Sequence, residues 1–127
     1  MFLLGSISKP ICMTALMTLY DRGEFRLDDR VKRFLPQFTG DGRDDVTMQH
    51  LLTHVSGLAS GPVSNGAAGK IAKFYSGTLG TSIPKLGATP LEFQPGSRWA
   101  YSAGAAFDTL GRIVEVASGM GFDAFLK

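Results

Sequence analysis

Ser6 and Lys9 stand three residues apart in Gly5-Ser6-Ile7-Ser8-Lys9-Pro10, at the front of a helix-like run. On a helix, residues at that spacing are neighbours, with side-chain roots about 5–6 Å apart. A hydroxyl and an amine so placed can share a proton. Serine is a poor nucleophile until a base takes its proton, and an adjacent lysine is one source of that base. A lysine used this way must be neutral near pH 7, far below the range in which a free lysine titrates. Desolvation and the positive field of a helix N-terminus both push in that direction. The same helix end aims a backbone N–H at an oxyanion forming beside the serine. The pair also has a plain structural reading, with Ser6 as a helix N-cap and Lys9 as a solvated first-turn residue.

Other residues able to do chemistry are few. Tyr101 lies in Tyr101-Ser102-Ala103, just after Pro95-Gly96-Ser97-Arg98-Trp99 and just before a helical stretch. A tyrosine at such a junction can point its hydroxyl into a cleft and act as a general base if its charged form is stabilised. It can equally be a half-buried residue bonded to a backbone carbonyl. His50 and His54 are four apart, which is metal-ligand spacing, but Leu51, Leu52 and Thr53 between them supply no acidic partner. The expectation is therefore no metal. Cys12 is the only cysteine, so the chain has no disulfide framework and no cysteine cluster.

The elements that must position these residues follow from periodicity. Residues 6–22 read as a helix with Ile11, Ala15, Leu16 and Leu19 on one apolar face, stopped at Gly23. Leu27-Asp28-Asp29 reads as the start of a second short helix, with Val31, Phe34 and Leu35 inward and Leu35-Pro36 as its end. Gly40 to Asp45 is a polar turn. Thr47 is the expected N-cap of a helix over Met48 to Thr53, closed by Ser56-Gly57. Residues 57–96 are rich in glycine and proline and read as irregular, with a short helix near Ile71–Tyr75. A loop of that length is often functional. Arg98 to Tyr101 reads as a short extended piece. Residues 104–118 form a clear helix with Phe107, Leu110, Val114 and Ala117 on one face, an Asp108–Arg112 pair, and Gly119 at the end. Phe122 to Leu126 begins another helix.

Composition narrows the class. The chain has 127 residues, enough for one domain at most. A net charge of +2, with basic residues scattered and Arg30, Lys32 and Arg33 the densest group, gives no nucleic-acid footprint. No apolar stretch approaches the roughly 20 residues needed to span a membrane. Met1 to Leu4 is too short for a signal-peptide core and lacks a basic leader. Localisation stays open.

Three ordered blocks carry a specific resemblance. They are Gly5-Ser6-Ile7-Ser8-Lys9-Pro10-Ile11 continuing to Phe34-Leu35-Pro36, then Val46 to Leu58 containing Leu51-Leu52-Thr53-His54-Val55-Ser56-Gly57-Leu58, then Phe93 to Ser102 followed by Leu110-Gly111-Arg112 and Ser118-Gly119. The chain resembles the N-terminal half of a class C β-lactamase-like serine hydrolase, a superfamily of β-lactamases, D-alanyl-D-alanine carboxypeptidases, penicillin-binding proteins and family VIII esterases. S-x-x-K is a signature of its nucleophile region. The resemblance implies that Ser6 is acylated, that Lys9 helps deprotonate it, and that Tyr101 acts with Lys9 in proton transfer. It implies a substrate-binding role for Ser102 and Ala103 and a structural one for His54, Ser56 and Gly57. No cofactor is implied.

The same resemblance defines expectations for the whole. The fold class is α+β, with 1–127 a mostly helical part of the β-lactamase/transpeptidase-like fold whose antiparallel sheet is largely missing. Ala103 stands where many β-lactamases carry Asn, a side chain that helps bind a β-lactam or peptide amide, which tilts the reading toward esterases. The family's third motif, Lys-Thr-Gly or His-x-Gly, is absent after Tyr101. The chain thus reads as a partial domain acting on a small ester or amide. The alternative is a catalytically incomplete interaction module that self-associates through exposed apolar helix faces.

Overall fold

The computed structural model describes residues 5–58 and 77–127, so the short helix expected near Ile71–Tyr75 lies outside the described residues. A 3-10 turn over Gly5–Ile7 leads into α1, Ser8–Asp21. The N-cap position of α1 is Ile7, with no side-chain cap, so Ser6 is not the capping residue. The helix stops as the sequence predicts: Gly23 takes the left-handed conformation (φ +73°), and its N–H reaches the Tyr20 carbonyl at 2.9 Å.

The buried face of α1 is Cys12, Ala15, Leu16 and Leu19. Ile11, expected on that face, is 46% exposed. Cys12, a small apolar side chain, fills the first position of the i, i+3, i+4, i+7 stripe instead. The helix expected to start at Leu27 is likewise only a single 3-10 turn, Val31–Arg33. Its backbone groups are engaged across the chain: Val31 N–H bonds Val46 O at 2.9 Å, and Met48 N–H bonds Asp29 O at 3.0 Å. These bonds flank an antiparallel bridge between Arg30 and Thr47. Val31 and Leu35 are buried, as the pattern required.

Helix α2, Met48–Leu52, begins with a capping box in which Thr47 accepts the His50 N–H and His50 Nδ1 accepts the Thr47 N–H. Histidine here fills the place usually held by Glu or Gln. Helix α3, Leu79–Gly87, lies inside the span expected to be irregular. Its glycines and Pro84 obscured a helical stripe of Leu79, Ser82, Ile83 and Leu86. Ser82, Ile83 and Leu86 are buried, while Pro84 faces outward. Helix α4, Ala105–Ser118, ends at Gly119 (φ +70°), and α5, Phe122–Phe125, follows.

α4 is the hub of this helical assembly, packing against α1, α2, α3 and α5. Its Leu110, Ile113 and Val114 are fully buried, and Leu16 and Leu19 of α1 join them in one continuous core. Gly111 of α4 lies 3.2 Å, measured from where a Cβ would stand, from Leu79, which lets α3 approach closely. Arg112 ion-pairs with Glu115 at 2.8 Å, a partner the Asp108–Arg112 spacing did not suggest. Arg43 is a buried cation tying the 39–45 turn to the approach to residue 90, donating to Thr39 O at 3.0 Å and Thr89 O at 2.5 Å. The packing of α1 on α4 sets the N-terminus of α1 beside the segment that enters α4.

Candidate active site

That juxtaposition joins residues from opposite ends of the chain. Ser6 Oγ lies 2.7 Å from the Tyr101 hydroxyl, across 95 residues of sequence. Lys9 Nζ donates to Ser6 Oγ at 3.3 Å and to the Ala103 carbonyl at 2.6 Å. It also sits over the Tyr101 ring at 5.2 Å and the Phe107 ring at 5.5 Å. Ser6 is exposed, Lys9 is half-buried, and Tyr101 is 38% exposed. The three residues singled out by spacing and motif therefore meet at one point, open to solvent on the serine side.

Hydrogen bonding from Ser6, followed by that from Lys9, holds the Tyr101 hydroxyl below the ordinary tyrosine range. Cys12, one turn along α1 from Ser8, is a poor competitor for the nucleophile role. Burial, helped by the negative charge of Asp108, pushes its thiol up to about 11, so it stays protonated near neutral pH.

A cavity of about 410 Å³ opens beside the cluster, bordered by Lys9, Cys12, Ala103, Phe107, Asp108 and Phe122. Ala103 lines this space, and its carbonyl holds Lys9. Ser102 is buried, and its hydroxyl accepts the Ala106 N–H at 3.1 Å at the start of α4. Its N–H is engaged as well, so both its hydroxyl and its N–H are held by protein groups.

Of the residues expected to be structural, His54 packs against the Tyr101 ring. His54 Nδ1 accepts the Ser102 N–H at 3.1 Å. Burial, with a contribution from the nearby Lys9 charge, lowers the His54 pKa and keeps the imidazole neutral, as that acceptor role requires. Ser56 is buried and its hydroxyl accepts the Leu58 N–H at 3.3 Å. Gly57 is in the left-handed region (φ +77°), and a Cβ there would stand 2.2 Å from the Phe93 carbonyl oxygen. Both histidines thus use Nδ1 to accept a backbone N–H. Two contributors escaped the sequence reading. The Ala103 carbonyl carries no side-chain signal, and Phe107 reads as plain core from its helical spacing.

The chain belongs to the β-lactamase family, whose description matches residues 1–127. It is 40% identical over 131 residues to Esterase EstB of Burkholderia gladioli, covering 94% of this chain and 33% of that protein. A penicillin-binding protein of Bacillus subtilis (strain 168) is 33% identical over 130 residues, covering 100% of this chain and 27% of its own length. Among solved structures, EstCE1, a hydrolase with promiscuous acyltransferase activity, superposes with a TM-score of 0.81 at 32% identity, covering 97% of this chain and 35% of its own. The chain spans about a third or less of the length of these curated relatives. Its neighbours share a β-lactamase-like fold, and its described part is mostly helical.

Proposed function

We propose that this chain is the nucleophile-bearing, helical part of an α+β serine hydrolase domain that cleaves a small ester or amide through an acyl-Ser6 intermediate. The observation that carries the reading is the Ser6–Tyr101–Lys9 cluster, with Oγ to phenol oxygen at 2.7 Å. In this mechanism Ser6 Oγ attacks the acyl carbonyl carbon and passes its proton to the Tyr101 phenolate, with Lys9 hydrogen-bonded to Ser6 and seated over the Tyr101 ring. The carbonyl becomes an oxyanion beside the start of α1. When the oxyanion collapses, the leaving alcohol or amine takes the proton from Tyr101. Water then attacks the acyl-Ser6 carbonyl by the same route, releasing the acid and restoring the serine. A second oxyanion N–H would come from the family's third motif. The substrate would lie against Ala103, next to Ser102 in the chain.

An ester is favoured over a β-lactam for two reasons. Ala103 offers no side-chain amide to bind a β-lactam or peptide amide, and a 40% identical relative is named an esterase. The test is a fluorophosphonate probe together with a chromogenic short-chain ester, each run on the chain and on Ser6→Ala. Labelling at Ser6 with weak or absent ester turnover is expected. Absence of labelling in a folded chain overturns the reading. Sustained turnover that Ser6→Ala abolishes would overturn only the view that the chain is catalytically incomplete.

A second reading, a non-enzymatic module that self-associates, draws on exposed apolar residues. Ile7 is 67% and Leu126 44% exposed, and Ile11 and Phe125 border a groove of about 470 Å³ between α1 and the C-terminal residues. Concentration-dependent sedimentation without any Ser6 labelling would favour it.

A further inference from the structure

Residues 54–57 run beside residues 92–102 and are tied to them at four points. Glu92 N–H bonds Gly57 O at 2.8 Å, Gly96 N–H bonds Val55 O at 2.8 Å, and Ala100 N–H bonds His54 O at 3.0 Å. The fourth tie, Ser102 N–H to His54 Nδ1 at 3.1 Å, is made by a side chain and lies one residue beyond the phenol. The His54 ring also packs against three aromatic rings: Tyr101 at 4.6 Å, Phe107 at 5.4 Å and Trp99, edge-on, at 6.2 Å. His54 itself adopts a left-handed backbone (φ +61°) that few non-glycine residues take. That unusual conformation puts both its carbonyl and its ring on the 99–102 segment. Tyr101 is more than a third exposed, so its hydroxyl needs a support behind it to stay on Ser6.

We propose that His54 is a positioning residue that holds the Tyr101 hydroxyl on Ser6, accepting the Ser102 N–H through Nδ1 and bracing the phenol with its ring. The proposal rests on the serine-hydrolase reading for its catalytic meaning, but the geometry it asserts does not. His54 has no part in the proton route. A modest swing of the phenol would still lower acylation on the order of 10²-fold, because a displacement near 1 Å costs about that much.

The experiment reads the Tyr101 phenol directly. Its ionisation is followed by ultraviolet absorbance, isolated from the other tyrosines by subtracting the Tyr101→Phe titration. Fluorophosphonate labelling of Ser6 is measured in parallel, and circular dichroism confirms folding. In the starting chain the Tyr101 midpoint is expected below the ordinary tyrosine value. His54→Ala should return it to that value and slow labelling on the order of 10²-fold. His54→Asn presents Oδ1 in place of Nδ1 and tolerates the left-handed backbone, so it should recover most of both. An unchanged Tyr101 midpoint in folded His54→Ala overturns the proposal. If His54→Ala does not fold, His54→Asn decides: a native midpoint supports positioning, and an ordinary one refutes it. Loss of fold in both variants also refutes it, since His54 would then serve folding alone. Labelling as fast in Tyr101→Phe as in the starting chain would instead sink the proton route while leaving the phenol titration free to judge His54.

Discussion

The Tyr101 phenol sets the chemistry expected at the residue scale. It is held below its ordinary titration range by Ser6 and Lys9, and its basic form is the phenolate. Ser6 acylation should therefore rise with pH along a limb whose midpoint lies below about 10, the ordinary tyrosine value. Tyr101→Phe should flatten that limb and slow labelling by about 10²–10⁴-fold, the usual worth of a positioned general base. Stopped-flow labelling across pH checks both. The histidines give a separate expectation for stability. Burial is the leading cause that lowers both His50 and His54. The unfolded chain therefore takes up their protons more readily than the folded one. Their contribution is fully present above about pH 6.5, the unfolded value, and is lost as pH falls below it. The urea midpoint should accordingly fall between pH 7.5 and pH 5. Ser6 and Lys9 were legible from a three-residue spacing, and Tyr101 from its place in an ordered block. The Ala103 carbonyl was not, because a backbone acceptor leaves no trace in residue identity. The bracing by His54 was not either, because it depends on a left-handed backbone and on a segment some 45 residues away.

At the scale of elements, α4 governs whether the site exists. Leu110 is fully buried at the centre of the core, so Leu110→Ala should destabilise the chain by about 2–5 kcal/mol. It should also reduce Ser6 labelling in proportion to the folded fraction, as denaturant melts would show. Gly57→Ala should cost about 2 kcal/mol or more, since it combines a left-handed backbone with a Cβ 2.2 Å from the Phe93 carbonyl oxygen. Thermal melts test this, and an unchanged melting point would mean that the 54–57 segment is not clamped as described. The amphipathic helices α1 and α4 were plain in the sequence because their apolar residues recur at helical spacing and glycines stop them. α3 was hidden because glycine and proline density outweighed a four-residue stripe. The helix expected after Leu27 was displaced by cross-chain hydrogen bonds around the Arg30–Thr47 bridge, a tertiary effect that local periodicity does not encode.

At the scale of the molecule, the chain is a set of helices gathered on α4, spanning about a third of its curated relatives. Its blocks matched in order because they converge in space: the first starts α1, the second supplies the 54–57 support, and the third carries Tyr101 into α4. The contact between Ser6 and Tyr101 closes a loop of 95 residues. In an unfolded chain, closure over such a span is entropically opposed, and the serine there has neither phenol nor amine beside it. On the proposed chemistry, covalent capture of Ser6 should therefore report the folded state. In a two-state chain the labelled fraction across a urea series should trace the same curve as helix content. Labelling that vanishes while the helices persist would reveal a partly open form in which the two ends of the chain have parted.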